Sequence, residues 1–221
     1  MIKKALYFSF TLTCFTLIAF GQDDPLKGKE LYSSDFVIDG IARTFTYYMP
    51  VNYGRTNGYP LLIILHNLNE NAGQLIKKYG EALHAKADST DCIIVYPDAV
   101  DGRWNISPAI VSGAVAPVND VRFISILIEY FVQQYGADAK RIYASGFNNG
   151  AAMACYLGCN VPLKIAAVAA FGLSTGVCDS CSSSIPVAVI NAKKTAIQNA
   201  PGFTGIAITE MWDFFMAHTK K

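Results

Sequence analysis

Gly146-Phe147-Asn148-Asn149-Gly150 follows the apolar run Ile142-Tyr143-Ala144 and leads into a helical stretch. Two glycines four residues apart at a strand-to-helix junction let the elements approach closely, and the residue midway between them is forced to the apex in a strained, positive-φ conformation. Asn tolerates positive φ better than most residues with a side chain, so Asn148 meets the backbone demand of the turn. Where such an elbow serves nucleophilic chemistry, its apex carries a group that a neighbouring base can activate. A carboxamide offers that base nothing. Ser145, the hydroxyl beside the turn, precedes the first glycine, and strand alternation aims it away from the apex.

Working outward, Phe36-Val37-Ile38 and Arg43 to Tyr48 flank Asp39-Gly40, a dipeptide that favours a tight antiparallel hairpin. Beyond it come short continuous apolar runs at 61–65, 92–96, 142–144, 165–171 and 186–190, the pattern of strands covered on both faces. Ile76, Tyr79, Leu83 and Ala87 mark one helix face between them; Phe123, Ile124, Leu127, Ile128 and Phe131 mark a second that ends near Gly136. Ile208, Met211, Trp212 and Phe215 give a third stripe near the C-terminus. Strands alternating with helices predict an α/β fold, a mostly parallel sheet with helices on both faces preceded by an antiparallel hairpin.

The N-terminus reads as an export signal over residues 1–21: Lys3 and Lys4, an apolar run from Ala5 to Phe20, and small residues before Gln22. Residues 22–34 are polar and lack periodicity, so they are expected to form an extension outside a single domain spanning 35–221. Loss of the two signal lysines changes 18 basic against 17 acidic residues into 16 against 17. That near-neutral balance gives no footprint for nucleic acid, and signal removal leaves no membrane segment. The expected location is extracellular or periplasmic.

Five cysteines remain in the mature part, an odd number for an exported protein. Cys92 opens a buried strand and suits the role of a free core thiol. Cys155 and Cys159 share a helix face, and Cys178 and Cys181 lie in the loop after the next strand, so crossed disulfides between the two pairs would staple loop to helix. Four thiolates at this spacing could alternatively hold a structural zinc. An oxidising compartment favours disulfides, and neither a metal nor a cofactor is expected.

Several further segments carry a family resemblance: Arg43-Thr44-Phe45 to Pro50 leading into Pro60 to His66, then Val95-Tyr96-Pro97-Asp98, Arg103-Trp104-Asn105, Asn119-Asp120-Val121, Arg141 to Gly146, and Trp212-Asp213-Phe214-Phe215. In this order and spacing the chain resembles secreted α/β-hydrolases of the polyhydroxybutyrate depolymerase and feruloyl esterase-like family. The resemblance implies an α/β-hydrolase fold, a Ser-His-Asp triad and an oxyanion hole. The family's serine falls on Asn148. The oxyanion donors would come from the backbone of Asn149 and from the loop after His66, where Asn67 stands in place of the family's glycine. The region that should carry the acid and the base, 190–202, contains no Asp, Glu or His, and Gln198 is the nearest match to the histidine position.

The expectation is therefore an exported carboxylic-ester hydrolase homologue with a degraded triad, retaining binding of a small-molecule ester, phenolic or glycan ligand. The cleft groups would be His66, Asn67, Asn149 and Trp104, the last as a platform for an aromatic or sugar ring. The competing readings are an active esterase with a non-standard catalytic arrangement, and a structural remnant without a ligand.

Overall fold

The computed structural model describes residues 31–55, 57–106, 118–162, 164–173, 178, 185–190 and 201–220, with the backbone alone at 201–206. The expected signal, Cys181 and the stretch 191–200 lie outside the described residues. The strands are β1 (Leu31–Ile38), β2 (Ile41–Tyr48), β3 (Tyr59–Leu65), β4 (Ile93–Pro97), β5 (Ala137–Phe147), β6 (Ala167–Phe171) and β7 (Val187–Ile190). The helices are α1 (Ala72–Thr90), α2 (Asp120–Tyr135), α3 (Asn149–Asn160) and α4 (Pro201–Met216). All seven strands join one sheet in the order β1-β2-β4-β3-β5-β6-β7. β2 pairs antiparallel with both β1 and β4, and every other pairing is parallel.

The hairpin turns at Asp39 (φ 53°) and Gly40 (φ 79°), the paired positive φ that matches the twist of the flanking strands. β1 starts at Leu31, so its first four residues belong to the sheet rather than to the expected extension. There Tyr32 stacks on Tyr47 with ring centroids 5.2 Å apart, and the Ser33 and Thr46 hydroxyls lie 3.3 Å apart. An edge strand needs only one apolar face, so this segment lacks the apolar run that marks the central strands.

Every residue of β3 is buried. Alternation divides it between two cores. Leu61, Ile63 and Leu65 face α2 and α3, while Leu62 and Ile64 face α1 and α4. α1 begins with a capping box in which the Gln74 N–H donates to Asn71 Oδ1 (2.9 Å) and the Asn71 N–H donates to Gln74 Oε1 (3.0 Å). α2 stops at Gly136, whose φ of 67° provides the left-handed cap.

Cys155 of α3 is bonded to Cys178, beyond β6, and Cys159 is also disulfide-bonded. The disulfide consumes two of the thiolates that a zinc site would need. Cys92 is free and fully buried, and burial pushes its thiol well above the ordinary range, which suits an inert core residue. Because the Cys155–Cys178 bridge closes a 23-residue separation, Cys155→Ser is expected to lower the unfolding free energy by about 3 kcal/mol. Urea denaturation of both forms under non-reducing conditions measures the difference.

Candidate functional site

The apex forms where β5 turns into α3 at the carboxyl end of the parallel strands. Asn148 has φ 46° and ψ −103° and is exposed. Its N–H donates to the Phe171 carbonyl (2.9 Å), and its own carbonyl accepts the Ala152 N–H (2.9 Å) as the first bond of α3. Both glycines answer to close backbone approach. A Cβ on Gly146 would lie 2.4 Å from the Gly150 carbonyl carbon, and one on Gly150 would lie 2.3 Å from the Leu65 oxygen. The Asn148 carboxamide rests against Gly172 (φ 70°), where a Cβ would come within 2.7 Å of Oδ1.

His66, at the end of β3, is fully buried with both ring nitrogens engaged. The Ala99 N–H donates to Nε2 (3.0 Å), so the ring proton sits on Nδ1 and is donated to the Asn67 carbonyl (2.8 Å). This imidazole is a clamp between two loops. Asn67 turns its side-chain oxygen back to accept the Leu68 N–H (2.7 Å), which spends that donor of the loop locally.

Trp104 is 1% exposed, so its ring is packing inside the protein rather than an open platform. Its indole N–H donates to the His66 carbonyl (2.9 Å), and its ring centroid is 4.9 Å from the imidazole. Asn149, the first residue of α3, accepts the Trp104 backbone N–H through Oδ1 (3.0 Å). The loop 99–105 is thereby tied to both the end of β3 and the start of α3. A cleft of about 390 Å³ opens beside this junction, with Arg103, Asn105, Ile106, Val118 and Asn149 in its wall.

The remaining histidines sit elsewhere. His84 is fully buried on α1, stacked 3.8 Å from Tyr48, with Nε2 3.0 Å from the Tyr96 hydroxyl. His218 follows α4 and donates from Nδ1 to the Phe214 carbonyl (2.7 Å). Its own carbonyl accepts the Tyr143 hydroxyl (2.8 Å), and the neighbouring Lys220 N–H reaches the Lys140 carbonyl (2.9 Å). Those contacts place it beside the beginning of β5, at the opposite end of the sheet from Asn148. Ser145 is buried and donates to the Ala169 carbonyl (2.9 Å), facing a neighbouring strand instead of the apex.

One supporting group was not singled out from sequence as part of the site. Asp120, buried at the start of α2, meets Arg43 Nη2 at 2.5 Å and accepts the Asn105 N–H at 2.6 Å. The same guanidinium donates to the Asp98 carbonyl (3.2 Å) and lies 4.1 Å over the Phe123 ring. Desolvation raises the Asp120 carboxyl above its ordinary value, against the downward pull of the Asn105 N–H and Arg43. This ion pair anchors the cleft wall. The signal available in the sequence was that Arg43 and Asp120 both fall in segments that carry the family resemblance; their pairing and the link to Asn105 depend on tertiary placement.

A family model described as esterase PHB depolymerase matches residues 44–217. The chain belongs to the esterase PHB depolymerase family. Feruloyl esterase B of Piromyces equi is 29% identical over 154 residues, covering 66% of this chain and 27% of that protein. Feruloyl esterase D of Neurospora crassa is 27% identical over 160 residues, covering 67% of this chain and 51% of that protein. The chain thus spans between 18% and 51% of the length of the curated relatives it matches. Among solved structures, a thermostable esterase superposes with a TM-score of 0.64 at 14% identity, covering 86% of this chain and 63% of that one. The acetyl xylan esterase from Aspergillus awamori superposes with a TM-score of 0.51 at 17% identity, covering 62% of this chain and 50% of that one. These likenesses establish an α/β-hydrolase fold for this member of the esterase PHB depolymerase family.

Proposed function

We propose that this protein is an exported member of the family that has lost ester hydrolysis and keeps a binding cleft for a small ester, phenolic or glycan ligand. The observation that carries the reading is the exposed carboxamide at the apex, combined with three histidines that are all engaged away from it. Ser-His-Asp chemistry needs a hydroxyl with an imidazole in hydrogen-bond reach, and the members act as a unit. Among the described residues, the recorded ring-nitrogen contacts of His66, His84 and His218 all go to partners other than Asn148. Binding is favoured by what remains: a strained elbow, two cross-tied loops and a cleft bordered by side-chain amides that suit carbonyl or hydroxyl groups. The signal-like N-terminus and the Cys155–Cys178 disulfide support export.

Hydrolysis of short-chain and feruloyl esters tests the reading. Turnover is expected to fall about 10⁴-fold or more below that of an intact serine esterase. Asn148→Ser is expected to leave it there, since a hydroxyl without a base stays inert. Robust hydrolysis by Asn148→Ser, or wild-type turnover abolished by Asn148→Ala, would show a proton relay and overturn the proposal.

A further inference from the structure

The chain has five arginines, at 43, 55, 103, 122 and 141. Four have partners in the fold: Arg43 with Asp120, Arg55 with Asn52, Arg122 with Asp39, and Arg141 with Asp138. Arg103 makes no side-chain hydrogen bond or ion pair among the described residues, although it is exposed on the wall of the cleft beside Asn149. Its backbone is fixed, because its N–H donates to the Val100 carbonyl (3.2 Å) and the next residue is held by Asn149. A guanidinium on a fixed stem presents five donors in a planar fork, the geometry that accepts a carboxylate through two parallel bonds.

The rest of the cleft sets what accompanies that anion. Val100, Ile106 and Val118 give it an apolar side, with Ile106 38% exposed. Asp101 lies on the same wall without forming an ion pair to Arg103, so its negative charge opposes an incoming anion while leaving the fork open. At about 390 Å³ the space falls in the range of small-ligand sites.

Resting on the cleft-binding reading above, we infer that this cleft selects a free organic acid over its uncharged derivative, with Arg103 holding the carboxylate and the Val100, Ile106 and Val118 side chains holding an apolar body. The retained ligand is then the acid itself. Recognition of a neutral carbonyl would need no cation, whereas a charge-assisted bidentate contact is worth about tenfold or more in affinity.

Calorimetric titration of the full-length protein at low ionic strength with hexanoate and hexanamide tests the inference. Hexanoate is expected to bind at least tenfold more tightly than hexanamide. Arg103→Gln should remove that preference, Asp101→Asn should strengthen hexanoate binding several-fold, and Arg55→Gln should change neither. Equal affinity for the two ligands, no hexanoate binding, or an unchanged preference in Arg103→Gln would overturn the inference. Ester turnover in the assay above would instead overturn the loss of hydrolysis without altering the hexanoate comparison.

Discussion

Gly150→Ala is expected to destabilise the protein by about 3 kcal/mol or more, the upper part of the range for forced overpacking. The new methyl carbon would sit 2.3 Å from the Leu65 oxygen and 2.5 Å from the His66 oxygen. Both are backbone atoms near the end of β3, and Leu65 is paired with Gly146 in the sheet, so neither can rotate away as a side-chain tip would. His66 also carries the Trp104 indole on that same carbonyl, which spreads the displacement into the cleft wall. In a domain of this size the expected fall in melting temperature is about 6–12 °C. Gly40→Ala supplies the control: its Cβ meets nothing within 4 Å, and only the positive φ of 79° opposes it, at a cost of roughly 1 kcal/mol. Urea unfolding of the two variants separates steric exclusion from conformational strain. A Gly150→Ala effect no larger than that of Gly40→Ala would mean that β3 and α3 part easily at the elbow.

Asp120→Ala is the second large effect, at about 3–5 kcal/mol, the usual consequence of stranding one member of a buried ion pair. Arg43 is 2% exposed, and the Asn105 N–H loses its acceptor at the same time. Asp120→Asn keeps an acceptor for Asn105 and should be milder. Its value lies in pH dependence. Since the folded carboxyl titrates above its ordinary 3.8, the native protein binds more protons than the unfolded chain between those two values. The Asp120 contribution to stability is therefore largest at low pH and declines as pH rises through that window. Denaturant midpoints recorded from pH 3.5 to 7 should show this decline in the wild type, superimposed on other titrations, and a shallower one in Asp120→Asn. Identical slopes in both proteins would remove Asp120 from the pH response.

Central elements were legible because their physics is local. Continuous apolar runs such as Leu61 to Leu65 admit few environments except a strand covered on both faces, and helix stripes such as Phe123 to Phe131 end where Gly136 permits a left-handed cap. The elbow was equally readable, since two glycines around an Asn specify a backbone shape that the observed φ of 46° fulfils. Edge β1 was cut short in the reading because Tyr32, Ser33 and Ser34 alternate polarity without an apolar run and earn their place through contacts to β2. Trp104 shows the limit for site residues. A tryptophan in a polar loop suits a ligand platform or a loop anchor equally well, and only the bond from its indole to His66 distinguishes them. The Asp120–Asn105 contact likewise joins segments whose proximity is set by the fold as a whole.

The carboxamide at the summit of the elbow also governs how this molecule meets reagents. Phosphonylating and sulfonylating tags that report serine hydrolases require a hydroxyl made nucleophilic by its surroundings. Ser145, whose hydroxyl precedes the turn in sequence, is buried and hydrogen-bonded to a strand carbonyl. On the proposed loss of ester hydrolysis, such tags would find no activated oxygen at this elbow, and surveys that count esterases by covalent labelling would leave this protein among the unlabelled background.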